Sequence, residues 1–141
     1  PRGAPFPGAR AFPLAAGPGV TTALRRRNFA EVVPCEAYPE SAARLGVAPE
    51  TAEAFLARRR GDGQIPDLVV ANPPRGGMGP AVCAALAELA APRLQVMSCS
   101  PDALVRDLSA LQSAGYTLRR LRAYDTLPHT PHVELVAWLA R

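Results

Sequence analysis

The sequence predicts an α/β fold, a mostly parallel β-sheet covered by helices on both faces. Two observations lead to this prediction. Apolar runs of strand length alternate with helical patterns along the chain, and its 141 residues, 48% of them hydrophobic, are enough to bury one core. Parallel sheets of this kind bind their ligands at the carboxyl ends of the strands. We therefore expect a single main domain with a functional site at that edge.

The first 60 residues contain a tail, two strands and three helices by pattern. Residues 1–10 hold three prolines and two glycines, so we predict a flexible tail or linker there and the folded domain over residues 11–141. A strand over 11–16 leads into a glycine turn at 17–19. A helix over 20–28, a strand over 31–35 and helices over 38–45 and 49–60 follow.

The second half alternates more regularly. An apolar strand over residues 66–71 must end at Asn72-Pro73-Pro74, because proline cannot donate to a β-ladder. Only thirteen residues separate Glu36 from Glu50, fewer than a helix, a strand and their turns take, so we predict that a strand is missing there. The remaining predicted elements are a helix over 80–91, a strand over 94–97, a helix over 102–114 and strands over 116–123 and 133–139.

The composition says more about the cellular compartment of the protein than about the class of molecule that it binds. The net charge is +4, with arginine runs at 25–27, 58–60 and 119–122 that suit a polyanion, although a solvated helix face explains each run equally well. Three widely spaced cysteines give neither a disulfide framework nor a CxxC metal pair, which favours a reducing cytoplasm. No apolar run reaches the roughly 18 residues of a membrane span. Since the chain begins at Pro1, we expect it to be a fragment of a longer protein. Separately, we expect the protein to be a monomer.

Chemistry-bearing residues follow the predicted strands. Gly17 and Gly19 open a turn before a helix, and Glu36 stands 19 residues after Gly17, where a ribose hydroxyl pair would be bound, although a GxG turn is more often only a turn. Asn72 ends the third strand. Cys99 lies beside a predicted helix N-terminus, whose partial positive charge stabilises a thiolate, while a small buried residue is the alternative interpretation.

Residues 125–134, between the last two strands, combine two histidines, an aspartate and a glutamate. Such side chains in a loop serve as general bases or as metal ligands. No HxxxH or CxxC spacing supports a zinc site, so we favour proton transfer and expect no metal.

Three sequence signatures together resemble a known family. The segments NPPRGGMG, MSCSPDALVRDLSAL and DTLPHTPHVELV are similar to DPPRxG, SCxPxTLxRDL and FPHTxHVE of the RNA uracil-5 methyltransferases, in the same order. The match covers about the last 75 residues of the chain. The resemblance implies a Rossmann-like class I methyltransferase sheet, mostly parallel with an antiparallel C-terminal strand, in which the N-terminal half is shortened.

The resemblance also implies a reaction, in which uridine carbon 5 in RNA is methylated from S-adenosylmethionine. Cys99 matches the nucleophile that adds to uracil carbon 6, and Glu134 matches the base that removes the carbon 5 proton. The family positions that hold the methyl donor correspond to Gly17, Gly19, Glu36 and Asn72 in this sequence. Arg106 and Asp107 match the RDL pair, for which a structural contact and a role in the site both stay open. The PHTPHVE ending favours ribosomal over transfer RNA.

The part of the chain that would bind the methyl donor departs from the family pattern. The family's glycine loop resembles DLxCGxGxF, and residues 13–20 keep both glycines but lose the leading acid and the polar residues. Position 72 holds Asn in place of Asp, and Thr51 stands where an acidic residue near the adenine is expected. A second hypothesis follows, a catalytically impaired methyltransferase-like domain that binds RNA or a protein partner.

Overall fold

A computed structural model describes residues 6–15, 17, 28–126 and 128–141 of the chain. Its elements form one α/β unit, and no helix in these ranges is long and apolar enough to cross a membrane. In chain order the elements are β1 (Phe6–Leu14), β2 (Phe29–Val32), α1 (Pro39–Leu45), α2 (Ala52–Gly61), β3 (Leu68–Ala71), α3 (Gly79–Leu89), β4 (Arg93–Ser98), α4 (Pro101–Ser113), β5 (Thr117–Tyr124) and β6 (Glu134–Ala140).

The strands form one six-stranded sheet in the order β2-β1-β3-β4-β6-β5. Strand β1 pairs in parallel with β2 and β3, and β3 pairs in parallel with β4. Strand β6 lies between β4 and β5 and is antiparallel to both. The prediction of a mostly parallel sheet with an antiparallel C-terminal strand is therefore confirmed.

The main core lies between one face of the sheet and the helices α2, α3 and α4. The rings of Phe12 and Phe55 meet edge to face, with their centroids 5.2 Å apart. A smaller buried cluster lies on the opposite face, around Ala11, Phe29 and Val70. Strand β3 is buried at all four positions because it contributes to both clusters, as its continuous apolar run predicts. The main cluster also includes Leu56, Leu86, Leu94, Val96, Leu104 and Leu111.

Strand β1 begins earlier than the sequence predicts. Residues 6–10, which we predicted as part of a tail, belong to the sheet. The pairing register shifts between Phe6 and Arg10, and Gly8 has a φ of +80°, which marks an irregular segment that accepts proline and glycine. Strand β3 pairs with β1 only from Ala11 onward, so this segment has one partner strand. Residues 1–5 and 18–27 lie outside the described residues, and so does the predicted helix over 20–28 apart from its last residue.

The segment between β2 and β3 contains helices and no regular strand. Residues 33–67 are described throughout and form α1, α2 and connecting segments, as the short spacing between Glu36 and Glu50 predicts. Strand β2 is therefore an edge strand of the sheet. Beyond its end, an isolated bridge joins Cys35 to Leu14, and the Cys35 N–H donates to the Pro13 carbonyl at 2.8 Å. The segment predicted as a strand over 31–35 therefore runs alongside β1 as far as Leu14, the last residue of β1.

A buried side chain of α4 tests this description of the core. The Leu111 side chain is 0% exposed, whereas Val105 on the same helix is 62% exposed. We expect Leu111→Ala to lower the free energy of unfolding by about 2–5 kcal/mol through lost burial and a residual cavity, and Val105→Ala to change it by less than about 0.5 kcal/mol. Urea denaturation measures both. Equal effects of the two substitutions would contradict the placement of α4.

Candidate active site

The direction of the strands brings the predicted site residues to one edge of the sheet. Leu14 pairs with Ala71, and Ala71 pairs with Val96, so β1, β3 and β4 end side by side. Strand β6 runs the opposite way and therefore begins where the others end. Four of the predicted site residues follow strands at this edge, namely Gly17, Glu36, Asn72 and Cys99. The fifth, Glu134, is the first residue of β6.

Glu36 holds the glycine turn that follows β1. Its carboxylate is buried, with the residue 8% exposed, and it accepts the Gly17 N–H at 2.8 Å and the Tyr38 N–H at 2.8 Å. Gly17 has a φ of +55°, a conformation that glycine adopts without strain. The two residues, 19 positions apart in the chain, are therefore joined by a direct hydrogen bond. Gly19 lies outside the described residues.

A cavity of about 210 Å³ opens between the ends of β1 and β3, and we call it the β1–β3 cavity. Glu53, in the first turn of α2, is one of its lining residues and stands two residues after Thr51, where the family pattern places an acid. A position-by-position match with the family pattern points to Thr51 and does not identify Glu53. An acid within the first helical turn is the signal that could have found it. The lining also includes Leu14, Ala15, Asn72, Pro73, Pro74, Gly77, Met78 and Val82.

A second concavity lies on the face of the sheet near the start of β6, and we call it the β4–β6 groove. It has a volume of about 530 Å³ and is lined by Asn72, Met97, Tyr124, Glu134 and Trp138, among others. The Arg120 guanidinium lies over the Trp138 ring, 5.6 Å from its centroid. The alternation of Glu134, Val136 and Trp138 along β6 is the sequence signal that could have found this face.

Asn72 lies between the two concavities. Its backbone N–H donates to the Leu14 carbonyl at 3.3 Å, which ties the end of β3 to the end of β1. The residue is exposed and lines both the β1–β3 cavity and the β4–β6 groove. A molecule bound in the cavity and a molecule bound in the groove would therefore meet at Asn72.

Cys99 and Glu134 lie at the same end of the β4–β6 ladder. The last pair of that ladder joins Ser98 to Leu135, and Cys99 and Glu134 are the next residues of the two segments. Glu134 is half-buried and pairs with Tyr124 on its other side. The structure thus brings together two residues that stand 35 positions apart in the chain.

The turn that contains Cys99 is held by the serines on either side of it. The Ser98 hydroxyl, in a residue 2% exposed, donates to the Ser100 carbonyl at 3.0 Å and accepts the Ser100 N–H at 3.1 Å. The Ser100 side chain accepts the Ala103 N–H at 3.4 Å and caps α4, with Pro101 as the first helical residue, as predicted. Cys99 is partly exposed at this junction.

The other two cysteines lie in different surroundings. Both are buried. Burial, and then the charges of Glu50 and Glu36, raise the pKa of the Cys35 thiol to about 12. Burial, and then the charge and hydrogen bond of Asp107, raise the pKa of the Cys83 thiol to about 11. Both thiols stay protonated at neutral pH, which makes them poor nucleophiles.

The histidines of the last loop are exposed. His129 and His132 lie between β5 and β6, and the His132 N–H donates to the Thr130 hydroxyl at 3.4 Å. Over residues 28–126 and 128–141 and the short described ranges before them, no three His, Cys, Asp or Glu side chains form a group that could hold a metal ion. Glu134, at the end of this segment, lines the β4–β6 groove.

Residues 63–141 match the model of the tRNA (Uracil-5-)-methyltransferase family, which is more than half of the chain. The chain belongs to this family. The family segment begins before β3 and contains Asn72, Cys99 and Glu134. The resemblance drawn from the three signatures is confirmed.

Relatives within the uracil-5-methyltransferase family are much longer than this chain. A 23S rRNA (uracil(747)-C(5))-methyltransferase of Shewanella putrefaciens is 42% identical over 76 residues, which is 54% of this chain and 19% of that protein. An uncharacterized RNA methyltransferase of Nitratidesulfovibrio vulgaris is 43% identical over 96 residues, covering 67% of this chain and 20% of that protein. The chain thus spans about a fifth of the length of these curated relatives.

Solved structures show the same fold. A Pyrococcus abyssi tRNA (uracil-54, C5)-methyltransferase in complex with S-adenosyl-L-homocysteine has a TM-score of 0.71 at 23% identity, covering 94% of this chain and 34% of that one. The N-methyltransferase NodS of Bradyrhizobium japonicum has a TM-score of 0.74 at 11% identity, covering 94% of this chain and 78% of that one. This family member therefore has the class I methyltransferase fold.

Differential thiol reactivity tests the assignment of the three cysteines. At pH 8 we expect iodoacetamide to modify Cys99 first, because Cys99 is partly exposed while Cys35 and Cys83 are buried with pKa values raised to about 12 and about 11. Peptide mapping by mass spectrometry locates the modified residue. In urea, all three cysteines should react at similar rates. Preferential modification of Cys35 in the folded protein would contradict the structure.

Proposed function

We propose that this chain is the catalytic part of an enzyme that methylates carbon 5 of uridine in RNA, with S-adenosylmethionine as the methyl donor. The observation that supports this function best is the position of Asn72. It lines both the β1–β3 cavity, beside the glycine turn, and the β4–β6 groove, which holds Glu134. Methyl transfer needs a donor and an acceptor that meet at one point, and two concavities that share one residue provide this arrangement.

The residues present fit S-adenosylmethionine as the donor. Each oxygen of the buried Glu36 carboxylate accepts one backbone N–H, so acceptor capacity remains for ribose hydroxyls. The Glu53 carboxylate and the walls formed by Pro73 and Pro74 suit an adenosine group in the β1–β3 cavity. When bound, S-adenosylmethionine would supply an electrophilic methyl group, and its sulfur would keep the electron pair of the broken S–methyl bond as S-adenosylhomocysteine leaves. We assign the donor site to Gly17, Gly19, Glu36 and Asn72.

Cys99 and Glu134 would carry the chemistry on the uracil ring. Carbon 5 of uracil is a weak nucleophile, so the Cys99 thiolate first forms a bond to carbon 6, and the electron pair of the 5,6 double bond moves into an enolate that is nucleophilic at carbon 5. After carbon 5 has been methylated, the Glu134 carboxylate takes the carbon 5 proton. The double bond re-forms and the Cys99 thiolate leaves. The position of both residues next to the last pair of the β4–β6 ladder supports this assignment.

We propose ribosomal rather than transfer RNA as the substrate. The relative at 42% identity acts on 23S rRNA by its name, and this identity exceeds the 23% found with the transfer-RNA enzyme of known structure. The net charge of +4 suits either RNA, so it does not decide between them. The PHTPHVE segment, which ends at Glu134, resembles the ribosomal members of the family.

Trapping with 5-fluorouridine tests Cys99 as the nucleophile. Fluorine at carbon 5 cannot leave as a proton does, so a covalent protein–RNA adduct should accumulate when S-adenosylmethionine and 5-fluorouridine-containing 23S rRNA fragments are present. Denaturing gel electrophoresis and peptide mapping detect the adduct. Glu134→Gln should still form it, because the base acts after the bond to carbon 6 has formed. An adduct that survives Cys99→Ala would exclude Cys99 as the nucleophile.

A second candidate function is a catalytically impaired methyltransferase-like domain that binds RNA or a protein partner. Asn72 supports it, because an amide replaces a carboxylate and adds two hydrogen-bond donors at the shared residue. Calorimetry with S-adenosylmethionine separates the two functions. We expect heat of binding that is lost in Glu36→Ala and retained in Glu40→Ala, which changes an exposed residue of α1. No heat with the folded wild-type chain would favour the second function.

A further inference from the structure

A buried carboxylate on α4 caps a different helix. The Asp107 residue is 4% exposed, and its carboxylate accepts the Met78 N–H at 2.8 Å and the Gly79 N–H at 3.2 Å. These N–H groups belong to the N-cap and the first residue of α3, and Met78 has no side-chain capping bond of its own. The first N–H groups of a helix need partners from outside the helix. Asp107 supplies that partner from 29 positions further along the chain.

Two further contacts show how closely Asp107 fits against this loop. A Cβ at Gly77 would lie 2.7 Å from the Asp107 Oδ2, and Gly77 has a φ of +87°, so only glycine fits there without strain. The Cys83 thiol, one turn into α3, lies 3.8 Å from the Asp107 Oδ1. We call Asp107 with Gly77, Met78 and Gly79 the Asp107 clamp.

The Asp107 clamp holds part of the wall of the β1–β3 cavity. Gly77 and Met78 line that cavity together with Asn72, Pro73 and Pro74, and they connect these residues to α3. Strand pairing places the end of β3, but the chain between Ala71 and α3 has left the sheet. The hydrogen bonds that Asp107 accepts tie the end of this loop to α4, in addition to the packing of Met78 against the core.

We propose that Asp107 is a positioning residue that keeps the Gly77–Met78 wall in the shape that binds the methyl donor. The identity of the ligand rests on the proposed function, whereas the positioning itself rests on the clamp. This inference also gives a role to the aspartate of the RDL pair, which sequence comparison left open. The aspartate acts on the loop that follows NPPR, through backbone hydrogen bonds, without contact with the reacting atoms.

The Asp107→Asn variant tests the need for a carboxylate. An amide offers one acceptor oxygen and two donor hydrogens, so one of the two backbone N–H groups would face a donor. We expect the Met78 and Gly79 amides to exchange with solvent about tenfold faster or more, while core amides such as that of Val96 keep their protection. Amide exchange followed by NMR measures both. A general loss of stability would accelerate the core amides as well.

Donor affinity gives the second measurement. Loss of a charge-assisted hydrogen bond at the cavity wall should weaken binding of S-adenosylmethionine about tenfold in calorimetry at a temperature where the variant is folded. Affinity for an RNA fragment, measured in parallel, should change by less than about twofold, because the groove lies outside the clamp. Unchanged donor affinity together with unchanged exchange at Met78 and Gly79 would overturn the proposal.

Glycine variants keep the test decisive if Asp107→Asn fails to fold. Gly77→Ala adds a Cβ against the Asp107 oxygen and should reproduce both effects. Gly76→Ala, in the same loop, meets nothing within 4 Å and has no positive φ, so it should bind the donor as the wild type does. Gly63→Ala is the control for backbone strain, since its φ is +67° in open space. Equal donor affinity for Gly77→Ala and Gly76→Ala would overturn the proposal.

Failure of the proposed function would give a different result. If the wild-type chain binds no S-adenosylmethionine, the function assigned to this chain fails, and amide exchange decides the inference alone. Faster exchange at Met78 and Gly79 in Asp107→Asn, with Val96 unchanged, would then still establish Asp107 as the residue that holds this wall. Unchanged exchange would overturn it.

Discussion

Strand direction is the constraint on which the candidate active site depends. Parallel pairing of β1, β3 and β4 makes these strands end at one edge, so the turns that follow them are neighbours although they are distant in sequence. Strand β6 is antiparallel and inserted between β4 and β5, so its first residue reaches the same edge. Glu134 would lie at the opposite edge if β6 ran parallel to β4. The antiparallel direction of β6 is therefore what brings Cys99 and Glu134 to the same edge of the sheet.

Two buried carboxylates hold the loops that follow β1 and β3. Glu36 accepts backbone N–H groups of Gly17 and Tyr38, and Asp107 accepts those of Met78 and Gly79. Burying a carboxylate is costly unless hydrogen bonds compensate, and backbone N–H donors in turns provide that compensation. The same hydrogen bonds fix the positions of the loops that donate them. The cavity therefore depends on polar contacts between segments as well as on apolar packing.

The three cysteines show how the surroundings of one residue type change its chemistry. Cys35 and Cys83 lie in the main core, and their raised pKa values follow from burial and from neighbouring carboxylates. Cys99 lies between a strand and a helix, in a turn held by the Ser98 hydroxyl and partly open to solvent. A nucleophile needs access to its substrate, and Cys99 is the thiol among the three that the fold leaves accessible.

Local chemistry explains what the sequence by itself determined. Proline at positions 73 and 74 ends β3, and the Ser100-Pro101 pair starts α4, because capping and the missing proline N–H act within a few residues. Most helices and strands, and the place of Cys99 between a strand and a helix, followed from such signals, whereas the family followed from the resemblance of three signatures. The early start of β1 did not, because Pro7 and Gly8 are tolerated in a strand only beside a single partner strand with an irregular register.

Only the tertiary structure decided which distant residues share a surface. The contribution of Glu53 to the β1–β3 cavity, the position of Asn72 between two concavities and the contact of Asp107 with a loop 29 positions earlier all depend on the packing of separate segments. The sequence contained each of these residues without any local signal of its partner. Pairing of strands and docking of helices bring such partners together, and these are long-range interactions that a linear pattern does not encode in any one place.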